Sequence, residues 1–101
     1  MDSLYFGTAM PGGQVSVTDW ELFRDEVIGP RFPRGMTSFA ARGQWQGQSG
    51  KVESENSYVL QVVHQRSPQV EAAIVETVSL YKARFRQESV LRVRSATCVS
   101  F

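Results

Sequence analysis

The residues best suited to chemistry are two carboxylates and a hydroxyl, which occupy Glu53, Glu55 and Ser57. On a β-strand these alternate positions share one face, and successive members lie about 6–7 Å apart. Inside a cavity, burial and like charge would favour the protonated form of one carboxyl group, which could then move a proton. The alternative is a solvated strand end beside a turn, and both interpretations stay open at this point.

Other kinds of catalytic site have little support. His64 is the only histidine and Cys98 the only cysteine, so the chain has no metal-ligand spacing and no intramolecular disulfide. Neither Ser57 nor Ser89 lies in a nucleophile motif. We therefore expect no metal and no cofactor.

Composition limits the partners. The net charge is +1 with 21% charged residues, so no overall field favours nucleic acid or an anionic membrane. The acidic stretch Ser54–Tyr58 stands where an RNA-recognition module would need a basic, aromatic motif. No apolar run is long enough to span a bilayer. We expect a cytoplasmic protein, or one whose export leader has already been removed.

Six elements must position these residues. Ser16 and Asp19 are spaced as a capping box, Gly29 and Pro30 form a helix stop, and Ser67 precedes a proline as an N-cap. The pattern predicts, in order, a strand at Leu4–Gly7, a helix from Ser16 to Gly29, a strand at Thr37–Gln46, a long strand to about His64, a helix from Ser67 to Arg86, and a strand from Val90 to Phe101 with a break near Ser95.

This order predicts one α+β domain over residues 1–101, with a ferredoxin-like βαββαβ arrangement. Its four-stranded antiparallel sheet would carry both helices on one face. The long strand has apolar residues on both faces, Leu60 and Val62 on one and Val59 and Val63 on the other. A second copy stacked on the bare face would give a homodimer of the α/β-barrel type. Alternatively, the segment 31–35 and the C-terminus shield that face.

Several segments together resemble a bacterial family, domain of unknown function 3574. They are Leu4–Gly7, Trp20 with Phe23, Pro30–Thr37, Gly43–Trp45, Glu55–Leu60, Tyr81–Leu91 and Val99–Phe101. Met36 replaces the usual leucine, and many relatives carry an export leader. The resemblance implies no known activity. It does imply a role for polar residues that core packing does not explain: Arg31, Thr37, Glu55, Ser57, Gln87 and Ser89.

The resulting hypothesis is a cofactor-independent enzyme that acts on a small, largely apolar molecule by isomerisation, cyclisation or elimination. Glu55 would move the proton, and Ser57 and Gln87 would donate hydrogen bonds to a developing oxyanion. The predicted substrate-binding residues are Phe39, Trp45, Tyr58, Arg31, Thr37 and Ser89. The alternative is a non-catalytic small-molecule-binding or structural module.

Overall fold

A computed structural model describes all residues from 1 to 101. Its strands are β1 (Asp2–Gly7), β2 (Ala9–Met10), β3 (Gly13–Gln14), β4 (Thr37–Gln46), β5 (Val52–Val62) and β6 (Leu91–Arg94). Its helices are α1 (Val17–Phe23), a π-helical segment (Arg24–Ile28), α2 (Gly29–Arg31) and α3 (Pro68–Phe85).

The main sheet has four antiparallel strands in the order β4-β5-β1-β6. The predicted antiparallel sheet with two helical regions is therefore confirmed. The short strands β2 and β3 form a separate hairpin directly after β1. Strand β1 pairs with β5 only between Ser57 and Val62, so the first half of β5 pairs with β4 alone and extends beyond the sheet.

One face of the sheet packs against the helices and contains the core. Leu4, Phe6, Leu60 and Val62 point to this face and join Trp20, Phe23, Ile74, Tyr81 and Phe85 in one buried cluster. Aromatic rings fill its centre, with the Phe6 ring 4.7 Å from that of Tyr81 and 5.3 Å from that of Trp20. Burial of such large side chains dominates the stability of a small core.

The first helical region begins as predicted but does not end as predicted. Ser16 and Asp19 form the expected capping box. The predicted stop at Gly29–Pro30 is wrong, because the chain widens into a π-helical turn and continues to Arg31. Pro30 lies at the start of the next helical turn, where a missing N–H leaves few bonds unmade. The Arg31 guanidinium then donates to the Val27 carbonyl at 2.9 Å.

The last strand is shorter than predicted. Strand β6 ends at Arg94, and the predicted continuation to Phe101 is wrong. Ser95 exchanges two backbone hydrogen bonds with Met1, the first residue of the chain. Because β6 pairs with no strand other than β1, residues 96–101 have no neighbouring strand to continue with.

The other face of the sheet, here called the open face, carries an apolar row across all four strands. Phe39, Val59, Tyr5 and Leu91 lie directly opposite one another in register. Val59 is buried between its neighbours at 1% exposure, whereas Phe39 and Leu91 are 45% and 60% exposed. Residues 95–101 are exposed and leave this face uncovered.

Candidate functional site

The candidate site lies on the open face around Gly7, the last residue of β1. Ser57 is the direct cross-strand partner of Gly7. A β-carbon at Gly7 would overlap Oε1 of Glu55, and Oε1 of Gln87 lies 3.4 Å from the same position. The fold thus brings together all three residues that the sequence predicted to be catalytic.

Glu55 is held in place by the backbone. Its Oε1 accepts a hydrogen bond from the Thr8 N–H at 2.9 Å, and the Thr8 hydroxyl donates to the Asn56 carbonyl at 2.6 Å. No lysine, arginine or histidine nitrogen lies within 4.0 Å of the carboxylate. Glu55 is half-buried, and its Oε2 makes no hydrogen bond within the chain. The carboxylate is therefore oriented and lacks a counter-ion.

Gln87 is fixed from the other side. Helix α3 is capped by Arg86 in the left-handed conformation, with φ of 52°, which turns the chain back toward β1. The Gln87 amide nitrogen donates to the Ala9 carbonyl at 2.7 Å and to the Phe85 carbonyl at 3.1 Å. Both N–H groups are engaged, so the free polar atom over Gly7 is the amide oxygen. The donor role predicted for Gln87 would need these bonds to rearrange.

Tyr81 holds Gly7 from the helix side. Its hydroxyl donates to the Gly7 carbonyl at 2.6 Å, and its side chain is fully buried. Burial first, and the nearby charge of Glu55 second, raise the pKa of Tyr81 well above its ordinary value. The phenol therefore stays neutral and donates. The sequence pattern assigned Tyr81 only to the apolar stripe of a helix, so it contained no signal for this contact.

An open groove of about 500 Å³ adjoins Glu55. It runs between the β2–β3 hairpin and the part of the β4–β5 hairpin that extends beyond the sheet. Its lining is mainly polar: Thr8, Ala9, Gln14, Arg42, Trp45, Lys51, Val52, Glu53, Ser54, Glu55 and Asn56. Trp45 lies opposite Glu53 and is 46% exposed, which leaves much of its surface available to a ligand.

The predicted binding residues divide between the two faces. Phe39 and Thr37 lie on the open face, one and two side-chain rows beyond the row that contains Ser57. Tyr58 points to the helix side and stacks on Trp20, with ring centroids 4.5 Å apart, so it lies away from Glu55. Arg31 is also distant, because it joins the helices through a 2.7 Å ion pair with Glu76. Ser89 is exposed in the loop before β6.

A second polar cluster lies at the far end of β1, on the helix side. Asp2 is fully buried and accepts hydrogen bonds from Arg92 at 2.8 Å and His64 at 2.6 Å. Burial alone would raise the pKa of Asp2, but bonds from Arg92, His64 and Arg94 outweigh it and hold that pKa well below its usual range. The other His64 nitrogen faces the Gln65 carbonyl at 2.6 Å.

No group of three or more histidine, cysteine or carboxylate residues is arranged to hold a metal ion. No helix has the length and apolar character needed to cross a membrane.

The sequence matches a family model described as Protein of unknown function (DUF3574) over residues 1–101. The chain belongs to this family. No curated protein matches the DUF3574 chain. Among solved structures, a phage SAM lyase in the apo state is similar, with 15% identity, a TM-score of 0.64 and coverage of 90% of this chain and 74% of that one. A phage SAM lyase in complex with S-methyl-5'-thioadenosine has 19% identity, a TM-score of 0.58 and coverage of 90% and 76%. At these identities the likeness concerns the fold alone.

Proposed function

We propose that the DUF3574 chain is a small enzyme of the lyase type, which uses Glu55 as a general base on a small organic molecule bound over Gly7. One observation carries the proposal. The Glu55 carboxylate is fixed by the Thr8 N–H, lacks a counter-ion, and keeps one oxygen free beside a groove. Glu55 has no arginine or lysine partner within 4.0 Å, so its second oxygen remains available to a ligand.

The chemistry follows from this arrangement. The free oxygen of Glu55 takes a proton from a carbon of the substrate, and the electrons of that bond form a new double bond while the leaving group departs. We assign to Ser57, the cross-strand partner of Gly7, the role of donating a hydrogen bond to developing negative charge. The same base could instead promote isomerisation or cyclisation. The mechanism calls on no cofactor.

The ligand class we propose is a nucleoside carrying a sulfonium or thioether group. Support comes from the similar phage SAM lyase, whose structure contains S-methyl-5'-thioadenosine. A mainly polar groove suits the ribose, and the half-exposed Trp45 and Phe39 rings offer surfaces on which a purine can stack. This assignment refines the largely apolar substrate expected from the sequence.

We further propose that the fold is ferredoxin-like and works as a homodimer through the open face. The strand order and the antiparallel pairing support the first statement. The exposed row of Phe39, Tyr5 and Leu91 supports the second, since a second copy would shield it and enclose the groove. Light scattering at micromolar concentration should give twice the 11.3 kDa chain mass. A monomer mass would refute the dimer.

A non-catalytic binding module is the second candidate, because the groove of a single chain is open to solvent on one side. The two candidates differ in turnover. The chain would be incubated with SAM, and release of S-methyl-5'-thioadenosine would be followed by mass spectrometry. Binding without turnover by the wild-type chain would favour the module.

The decisive variant is Glu55→Gln, with Glu21→Gln as its control. Glu21 is an exposed carboxylate of α1 that does not line the groove. Loss of a general base lowers a rate by about 10²–10⁴-fold. We expect this loss in Glu55→Gln, with the denaturation midpoint nearly unchanged, and no such loss in Glu21→Gln. Full activity in Glu55→Gln would overturn the assignment of the base.

A further inference from the structure

Two acceptor oxygens face the space above Gly7. They are Oε1 of Glu55, which lies against the glycine, and Oε1 of Gln87, which lies 3.4 Å from the position of a glycine β-carbon. Oε1 of Glu55 fills the space that a side chain at Gly7 would take, and both oxygens lie within 3.4 Å of that one position. A single ligand atom beside the carboxylate can therefore reach both. Their chemistry indicates what that atom must be, because neither oxygen can donate.

The Gln87 amide has a defined orientation. Its nitrogen donates to the Ala9 and Phe85 carbonyls, so a flip of the amide would place its oxygen against two other acceptors. No donor of the chain bonds to Oε1 of Gln87. Oε1 of Glu55 receives only the Thr8 N–H, although a carboxylate oxygen has room for a second donor. The pair thus offers a negative charge and a carbonyl dipole with no cation within 4.0 Å of the carboxylate, although Arg42 and Lys51 line the adjoining groove.

We propose that this pair of oxygens is a subsite for a primary ammonium group of the ligand. An ammonium carries a positive charge and three N–H donors on one compact atom, so it can bond to both oxygens at once. A divalent metal is a poorer fit, because hard cations take six or more oxygen ligands and no cluster of carboxylates is available here.

This inference rests on the proposed function, since it names a feature of the substrate for the same site. With the ammonium held by Oε1 of Glu55, the other carboxylate oxygen stays free to accept a proton from the carbon next to the one that carries the sulfonium. The electrons of that C–H bond then form a double bond as the thioether leaves. The subsite therefore orients the substrate, and Gln87 becomes a binding residue through its carbonyl oxygen. The predicted substrate class is narrowed to nucleosides whose side chain bears a free amine.

The test compares two probes by isothermal titration. One is S-adenosylhomocysteine, and the other is its des-amino analogue, in which hydrogen replaces the α-amino group. Only the first probe can make the charge-assisted hydrogen bond through its amine. We therefore expect it to bind at least about tenfold more tightly than the des-amino analogue. In Glu55→Gln this difference should shrink to about twofold or less, whereas Glu21→Gln, which alters an exposed carboxylate of α1, should keep it. Thermal denaturation checks that both variants are folded.

Three results would overturn the subsite. They are equal binding of the two probes by the wild-type chain, failure of S-adenosylhomocysteine to bind at millimolar concentration, and displacement of that probe by millimolar Mg²⁺. None of these results depends on turnover. A tenfold preference for the amine with no reaction of SAM would support the subsite and refute the catalytic proposal, so the two can fail separately.

Discussion

Replacing Gly7 with alanine tests whether Glu55 requires the glycine. Gly7 does not have a positive φ, so alanine meets no backbone penalty there. In a strand, the change from glycine to alanine normally stabilises by about 0.5–1 kcal/mol. At Gly7, however, the new β-carbon would overlap Oε1 of Glu55. The carboxylate must then swing away and give up the Thr8 N–H.

The size of the effect follows from these opposing contributions. A hydrogen bond to a charged group contributes about 1.5–3 kcal/mol, and the lower part of that range applies because Glu55 is only half-buried. After the gain from alanine is subtracted, Gly7→Ala should destabilise the protein by about 1 kcal/mol. In a Glu55→Ala background the clash is absent, so the same substitution should stabilise by about 0.5 kcal/mol.

Urea denaturation of the wild type, the two single variants and the double variant measures this coupling, which should be about 1.5 kcal/mol. Gly13→Ala is the matched control, because Gly13 also lies in a strand without a positive φ and a β-carbon there meets nothing within 4 Å. Loss of the Thr8 amide protection from hydrogen exchange in Gly7→Ala would report the broken bond directly. An equal cost of Gly7→Ala in both backgrounds would refute the reasoning.

Two further predictions concern stability. Asp2→Asn should cost about 3 kcal/mol in urea denaturation, because it leaves the charges of Arg92 and Arg94 without their buried partner. Because the pKa of Asp2 is lowered from 3.8, its stabilising effect is present above that pH and is lost in more acidic solution. The difference in unfolding free energy between wild type and variant should therefore narrow below about pH 4. A difference that is independent of pH would contradict this. Tyr81→Phe should cost about 1–2 kcal/mol by leaving the buried Gly7 carbonyl unpaired, and an unchanged denaturation midpoint would show that water replaces the phenol.

Local signals predicted most of the fold. The capping box at Ser16 and the serine–proline start at Ser67 are satisfied by side chains within three residues, so the sequence alone contains the whole interaction. The alternation along β5 likewise placed Glu55 and Ser57 on one face. The error at the end of β6 arose from a distant partner, because Arg94 pairs with Asp2 of β1 and no pattern near Arg94 records that contact.

The site was only partly predictable for the same reason. Glu55 and Ser57 belong to one strand, but Gln87 reaches them through a helix cap and a contact 78 residues away along the chain, at Ala9. Tyr58 was predicted to line the pocket, but the alternation that puts Glu55 on the open face puts Tyr58 on the other face. Arg31 is a polar residue with a structural partner, Glu76, which sequence spacing does not identify.

The sheet separates the part of the chain that stabilises the fold from the part proposed to carry the chemistry. Every residue of the buried cluster lies on or against the helix side, whereas the register puts Glu55 and Ser57 on the open face. The oxygen of Gln87 lies 3.4 Å from the position that a β-carbon of Gly7 would take. Gly7 connects the two, because its carbonyl receives the buried Tyr81 hydroxyl while its missing side chain admits the Glu55 carboxylate. Substitutions on the open face should therefore change function with little change in stability. Gly7 is the exception, since any side chain there displaces the carboxylate and disturbs a strand that the core holds in place.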